Sequence, residues 1–259
     1  MKNHIKALIL DMDGVLWRGP QPIGDLAAVF GEIARKGLKV LMATNNATRT
    51  PESYVARFEE YGVRIEPWQV INSAEVAARY LKTLHPNGGP VFVVGEEGLQ
   101  QALKAQGFWP AEQDVLAVVA GMDRHLSYTR LSRATLLLRG GAAFIGTNGD
   151  RSFPTPEGLV PGAGSILALL ETASDRVPVV LGKPHTAIYE AALERLGTAA
   201  GETMVVGDRI ETDIAGAQQM GCPVALVLSG VTTPEQAQAW RPEPDLIAAD
   251  LADVVGRLP

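Results

Sequence analysis

A chain of 259 residues, 46% of them hydrophobic and 20% charged, holds enough apolar material for a sizeable core and is too ordinary in composition to be disordered or fibrous. A formal net charge of -6 with no block of Lys or Arg excludes the sequence-independent phosphate attraction that nucleic-acid binders use. The one cysteine, Cys222, excludes an internal disulfide, suits a reducing compartment and reads as a small buried residue.

In chain order, the first apolar run, "IKALIL" (5–10), ends at Asp11 after too few residues for a signal peptide, and no later stretch reaches membrane-spanning length. The expectation is a cytoplasmic protein with no membrane partner. Further runs follow at 38–43, 91–94, 115–120, 142–145, 177–181, 203–206 and 224–228. Near-continuous apolar strands of this kind are covered on both faces, as in a parallel sheet, and amphipathic segments separate them. Helices are predicted over 24–36, closed by Gly37, over 51–61, opened by Pro51 and closed by Gly62, and over 185–196, closed by Gly197. The predicted fold class is α/β. Turn formers in "LHPNGGP" (84–90) and "TASDRVP" (172–178) mark an insertion. The expected domains are therefore 1–78 with 178–259, sharing one sheet, and an inserted α/β segment over 79–177.

Four strand ends carry chemistry, at the edge where open α/β sheets place ligands. Asp11 and Asp13 follow the first strand, two positions apart and hence on one side of an extended chain. A helix cap accounts for one of these carboxylates and leaves the other without a task, and burying both requires a cation, a proton or a specific role. "ATNNATRT" (43–50) places Thr44 after the second strand, where a hydroxyl and backbone N–H groups can cradle an oxyanion; alone, it is an ordinary polar loop. Lys183 stands in "LGKPHTAIYEAAL" before a helix that Pro184 can open; it lacks the glycine spacing and the Ser/Thr of a P-loop. "VVGDRIETD" (205–213) gives Gly207 for a tight exit, Asp208 at the tip, and Asp213 about one helical turn on. Together Asp11, Asp13 and Asp208 make a hard, all-oxygen set suited to Mg²⁺.

These motifs in this order resemble those of the haloacid dehalogenase superfamily. "DMDGVLWRG", "ATNNATRT", "VVGEEGL", "GTNGD" and "PTPEGLVPGAGSI" resemble its NagD-like and 4-nitrophenyl phosphatase-like subgroup. The resemblance covers nearly the whole chain and implies a Rossmann-like core with an inserted cap of class C2. Gly149 departs from it, standing where the subgroup has Pro in its cap loop. The resemblance implies a Mg²⁺-dependent phosphatase for small phosphomonoesters: sugar phosphates, nucleoside monophosphates or p-nitrophenyl phosphate. It further implies that Asp11 attacks phosphorus to form an aspartyl-phosphate, and that Asp13 protonates the leaving oxygen and then deprotonates water. Asp13 then needs a higher pKa than Asp11.

Thr44 and Lys183 complete the implied catalytic set, with Asn45 and Asn46 on the phosphate. Asp11, Asp13, Asp208 and Asp213 are the implied metal residues, Asp213 acting directly, through water, or by orienting Lys183. Asn148 and Asp150, in the loop 146–158, either touch the leaving group or form a plain Asn-Gly turn. His125 reads as a surface histidine rather than an acid–base residue, and Trp17 and Trp68 as packing residues. The implied partner is a small phosphorylated metabolite, with a homodimer as an assembly seen in the subgroup. A phosphotransferase or mutase of the same superfamily is the nearest alternative, disfavoured by the large insertion. A dehalogenase would not need Asp13. A phospho-accepting receiver domain would be about half as long and lack the late G-D-x-x-x-x-D.

Overall fold

The structure, a computed structural model, describes residues 5–155 and 157–259. Residues 1–4, and Pro156 within the predicted loop 146–158, lie outside the described residues. The strands in chain order are β1 (Ala7–Leu10), a short hairpin of β2 (Trp17–Arg18) and β3 (Gln21–Pro22), β4 (Lys39–Thr44), β5 (Val70–Asn72), β6 (Gly89–Val94), β7 (Phe108–Pro110) and β8 (Ala117–Ala120). They continue as β9 (Ala143–Gly146), a hairpin of β10 (Ser152–Thr155) and β11 (Gly158–Pro161), β12 (Val179–Val180), β13 (Thr203–Gly207), β14 (Val224–Val227) and β15 (Leu246–Ala248). Each of the eight predicted apolar runs overlaps a strand. The three-residue strands β5, β7 and β15 went unpredicted because so short a segment displays no period.

The chain divides into two compact units, one of Met1–Thr44, Pro51–Ile71 and Lys183–Pro259, the other of Asn45–Thr50 and Asn72–Gly182. The junctions fall at 71/72 and 182/183 rather than at the expected 78/79 and 177/178, and the short segment 45–50 goes with the second unit. Helix α3 (Ser73–Leu84) explains the first difference. Its cap Asn72 accepts from the Glu75 N–H while Glu75 bonds back to the Asn72 N–H, so the helix begins as one piece and is not cut at residue 78.

The six-stranded sheet has the order β15-β14-β13-β1-β4-β5, and β1 pairs parallel with both β13 and β4. All four residues of β1 are at most 1% exposed, as expected of a strand covered on both faces. In the first unit, Leu8 and Leu10 pack with Met42, Val206 and Val227 against Val29 and Ile33 of α1 (Leu26–Arg35). The α1 N-cap Asp25 accepts from Ala28 N–H at 3.0 Å, and Gly37 leaves the helix at φ +68°. Helix α2 (Pro51–Glu60) buries Tyr54 and Phe58, one turn apart.

The second unit has its own parallel sheet, β12-β9-β8-β6-β7, with a core of Phe92, Val118, Phe144 and Leu170. Helices α4 (Glu97–Ala105), α5 (Tyr128–Arg139) and α6 (Ala163–Ser174) belong to it. Among the described residues no helix is long and apolar enough to cross a membrane.

Candidate active site

Asp11 continues the β1–β13 ladder by one bond, its N–H donating to Val206 at 2.9 Å, so the carboxylate leaves the sheet where the strand stops. Lys183, 4% exposed, meets it there. Its Nζ donates to Asp11 Oδ1 at 2.5 Å, Asp213 Oδ1 at 2.6 Å and the Ala43 carbonyl at 3.0 Å. The helix beyond it, α7 (Ala187–Leu196), begins three residues after Pro184 rather than at it. Thr44, the last residue of β4, is 3% exposed and follows Ala43 directly.

Asp213 lies on a π-helical turn (Ile210–Ile214) and folds back over the strand end. Its Oδ2 accepts from the backbone N–H groups of Asp208 and Arg209 at 3.2 and 3.1 Å. Tyr189 of α7, fully buried, ties the turn down by donating its hydroxyl to the Asp213 carbonyl at 3.0 Å. Gly207 is required here for space rather than for the tight exit expected of it. A Cβ at Gly207 would lie 2.2 Å from Asp213 Cβ.

Asp208 is 1% exposed. Its Oδ2 accepts from Val231 N–H at 2.8 Å, and a Cβ on Gly14 or Gly230 would come within 2.4 or 1.9 Å of that same oxygen. The loop after β14 therefore builds the pocket for Asp208. Ser229 joins the two sides by donating to the Gly14 carbonyl at 2.7 Å. Sequence reading missed this loop, although its place after the apolar run 224–228 is the same signal that marked the other strand ends.

Asp208 Oδ1 is buried and, among the described residues, has no hydrogen-bond partner. Carboxylate oxygens of Asp11, Asp208 and Asp213 all lie within 4.8 Å of one another. Three carboxylates against one ammonium leave a formal charge of -2. A buried, orphaned acceptor in a doubly negative, all-oxygen cluster fits a hard divalent cation.

The electrostatics agree. Burial, with Asp213 adding to it, pushes the Asp208 carboxyl up to about 7. Burial also drives Asp11 well above the usual carboxylate value; Lys183 opposes this, and Asp213 and Asp208 reinforce it. For Lys183 burial works against the charge, but Asp11 and Asp213 outweigh it and hold the ammonium well above its ordinary pKa.

Asp13 stands apart, and its carboxylate is not among the clustered oxygens. Its Oδ1 accepts from Trp17 Nε1 at 3.0 Å, and the residue is open to solvent. The protein crowded round the carboxyl raises its pKa, while Arg57 and the Trp17 N–H pull it down.

The remaining candidates belong to the second unit. Asn45, Ser73, Asn148 and Asp150 form one polar network. Asn148 Nδ2 and Ser73 Oγ donate to the Asn45 carbonyl at 2.7 and 2.6 Å, and Asn45 Nδ2 donates to Asp150 Oδ2 at 3.2 Å. Asn46 closes a local turn, accepting from the N–H and hydroxyl of Thr48. A Cβ at Gly149 would meet nothing within 4 Å. His125 is exposed, as expected. Cys222 is buried, and burial pushes its thiol up to about 11, which makes it a poor nucleophile. Trp68 corrects its expectation, being 51% exposed rather than packed, whereas Trp17 is fully buried and also bonded to Asp13.

Comparison with known proteins bears on these geometries. The haloacid dehalogenase-like hydrolase family matches residues 8–109, and the HAD-hydrolase-like family matches residues 180–254. The chain is 34% identical to the 5'-nucleotidase YutF of Bacillus subtilis, over 91% of each chain. The 4-nitrophenylphosphatase of Thermotoga maritima superposes with a TM-score of 0.93 at 30% identity, covering 98% of both chains. The glycerol phosphate phosphatase of Mycobacterium tuberculosis, whose crystal structure is a complex with magnesium, superposes at 0.91 with 33% identity, over 98% of this chain and 78% of that one.

Proposed function

We propose, from the premise that this chain belongs to the haloacid dehalogenase-like hydrolase family and is one of its phosphatases, that it hydrolyses small-molecule phosphomonoesters in two steps through an aspartyl-phosphate on Asp11. The observation that carries this reading is the Lys183 ammonium, 2.5 Å from Asp11 and 2.6 Å from Asp213, beside the orphaned Asp208 oxygen. Related proteins are named for a nucleotide, a nitrophenyl ester and glycerol phosphate. Their common element is the phosphomonoester dianion, and sugar phosphates, nucleoside monophosphates and p-nitrophenyl phosphate all carry it.

A carboxylate approaching a phosphate dianion meets a repulsion of about 4 kcal/mol per charge pair at ~4 Å in a partly screened site. Mg²⁺, held by Asp11, Asp208 and Asp213, would supply charge neutralisation for that approach and stabilise the transferring phosphoryl group. Lys183 contributes positive charge from the other side and fixes one Asp11 oxygen, which sets the direction of the attacking one. Thr44 and the backbone of Asn45 and Asn46 bind the phosphate. Asp13 gives its proton to the leaving oxygen, then takes one from the water that opens the aspartyl-phosphate and restores Asp11. Asp213 acts through Lys183 and the backbone of Asp208 and Arg209, or on the metal as well. We assign the inserted unit the part of a cap that selects the leaving group, with Asn148 and Asp150 as its candidates and Asp150 also bracing Asn45.

The test is turnover of p-nitrophenyl phosphate with and without MgCl₂, beside Asp11→Asn. The expected result is release of inorganic phosphate that requires the metal and vanishes in the variant. Multiple turnovers by Asp11→Asn would overturn the covalent route, and transfer of the phosphoryl group to an added alcohol with little free phosphate would favour a phosphotransferase.

A further inference from the structure

The hydrogen bond on Asp13 is the last link of a built assembly in the first unit. Between Asp13 and Trp17 the chain closes a tight loop. The Gly14 N–H donates to the Trp17 carbonyl at 2.8 Å, and the Leu16 N–H to the Met12 carbonyl at 2.8 Å. This returns the indole to the residue four positions before it. The ring is then held on several sides. Tyr54 stacks with it, planes 8° apart and centroids 6.4 Å apart, and Phe58 meets it edge-on at 5.3 Å. The Arg57 guanidinium carbon lies 3.8 Å from the ring centroid, and Arg57 is itself anchored to the Gly19 carbonyl. A fully buried indole between two aromatic rings and a guanidinium has no freedom to turn.

Asp13, by contrast, is an exposed residue, and without that bond its short side chain would be free to sample several rotamers. A proton donor must stand within hydrogen-bond reach of the atom that it serves. An indole N–H bonds preferentially to the unprotonated, carbonyl-type oxygen of a carboxylic acid, so the bond to Oδ1 favours the exchangeable proton on Oδ2.

We propose that Trp17, locked in place by Arg57, is a positioning residue of the reaction, its indole N–H orienting Asp13 so that Oδ2 delivers the proton. This rests on the reading of Asp13 as the acid–base residue. In the first step the O–P bond to the substrate breaks as the Asp11–phosphorus bond forms, and the Oδ2 proton passes to the leaving oxygen, giving the alcohol. In the second step Oδ2 recovers a proton from the water that attacks phosphorus, as the Asp11–phosphorus bond breaks and inorganic phosphate leaves.

Leaving-group dependence tests this, because nitrophenolate departs without a proton and an alkoxide does not. We compare kcat/KM, with saturating MgCl₂, for p-nitrophenyl phosphate and glycerol phosphate in the wild type, Trp17→Phe, Arg57→Met and Asp13→Asn. The expected loss in Trp17→Phe is about 30-fold on the alkyl ester and under threefold on the aryl ester, a part of the roughly 10²–10⁴-fold that acid catalysis contributes. Arg57→Met should show a smaller loss of the same sign, about fivefold. Thermal unfolding and Mg²⁺ affinity check that the variants remain folded; should Trp17→Phe fail that check, benzothienylalanine at position 17 keeps the ring shape and removes the N–H. Equal losses on both esters, or none, in a protein whose Asp13→Asn variant does discriminate would overturn the role of Trp17. An Asp13→Asn variant that treats both esters alike would overturn the acid–base reading of Asp13 itself, and the Trp17 proposal with it.

Discussion

The Lys183 ammonium lies 2.6 Å from one oxygen of Asp213, whose other oxygen accepts from the backbone N–H groups of Asp208 and Arg209. One carboxylate thus couples the lysine to the turn that carries Asp208. Lys183 is also the cation that offsets Asp11.

Removing that cation leaves buried carboxylates uncompensated, at a typical cost of about 3–5 kcal/mol. Lys183→Met should therefore lower the thermal midpoint of the metal-free protein markedly. A divalent cation counters the same charge, so MgCl₂ should raise the midpoint more in the variant than in the wild type. Calorimetry with and without metal measures both, and a variant as stable as the wild type without metal would contradict the argument.

Gly230 and Gly14 make room for Asp208. A Cβ on Gly230 would sit 1.9 Å from Asp208 Oδ2 and 2.3 Å from its Cβ. Gly230→Ala should displace the carboxylate and weaken Mg²⁺ binding about 10- to 100-fold, the usual effect of disturbing a ligand's support. Gly31 in α1 faces open space. Gly31→Ala should instead stabilise the protein by about 0.5–1 kcal/mol and leave metal binding unchanged. Titration calorimetry and melting curves on the pair separate a local cause from a general one.

Asp208 gives the pH dependence its sign. Its folded pKa, about 7, lies above the ordinary 3.8, so between those values the metal-free folded state holds a proton that the unfolded state has lost. Stability attributable to this group then falls as pH rises from about 4 to 7, by up to ~1.4 kcal/mol per pH unit, and is flat outside that window. Cation binding must displace the same proton. Mg²⁺ affinity should therefore climb with pH up to about 7 and level off above it, with proton release detectable below 7 from binding heats in two buffers. An affinity independent of pH from 5.5 to 8 would rule out this assignment.

The sequence by itself determined the α/β class, eight of the strands and the placing of polar residues at four strand ends. Buried parallel strands must be written as apolar runs, and a polar residue directly after such a run can only emerge at the sheet's edge. Asp11, Lys183 and Asp208 were legible for that reason, and Asp213 from its spacing of about one helical turn beyond Asp208. Only the tertiary structure decided which oxygens meet. It gathered Asp11, Asp208 and Asp213 and left the Asp13 carboxylate outside, bonded to a tryptophan that sequence reading had put down to packing. It also brought in the Ser229–Val231 loop and made Gly207 a matter of space for Asp213. These are contacts between segments up to about 215 residues apart along the chain, set by how neighbouring strands align, and no local pattern of residues encodes that alignment.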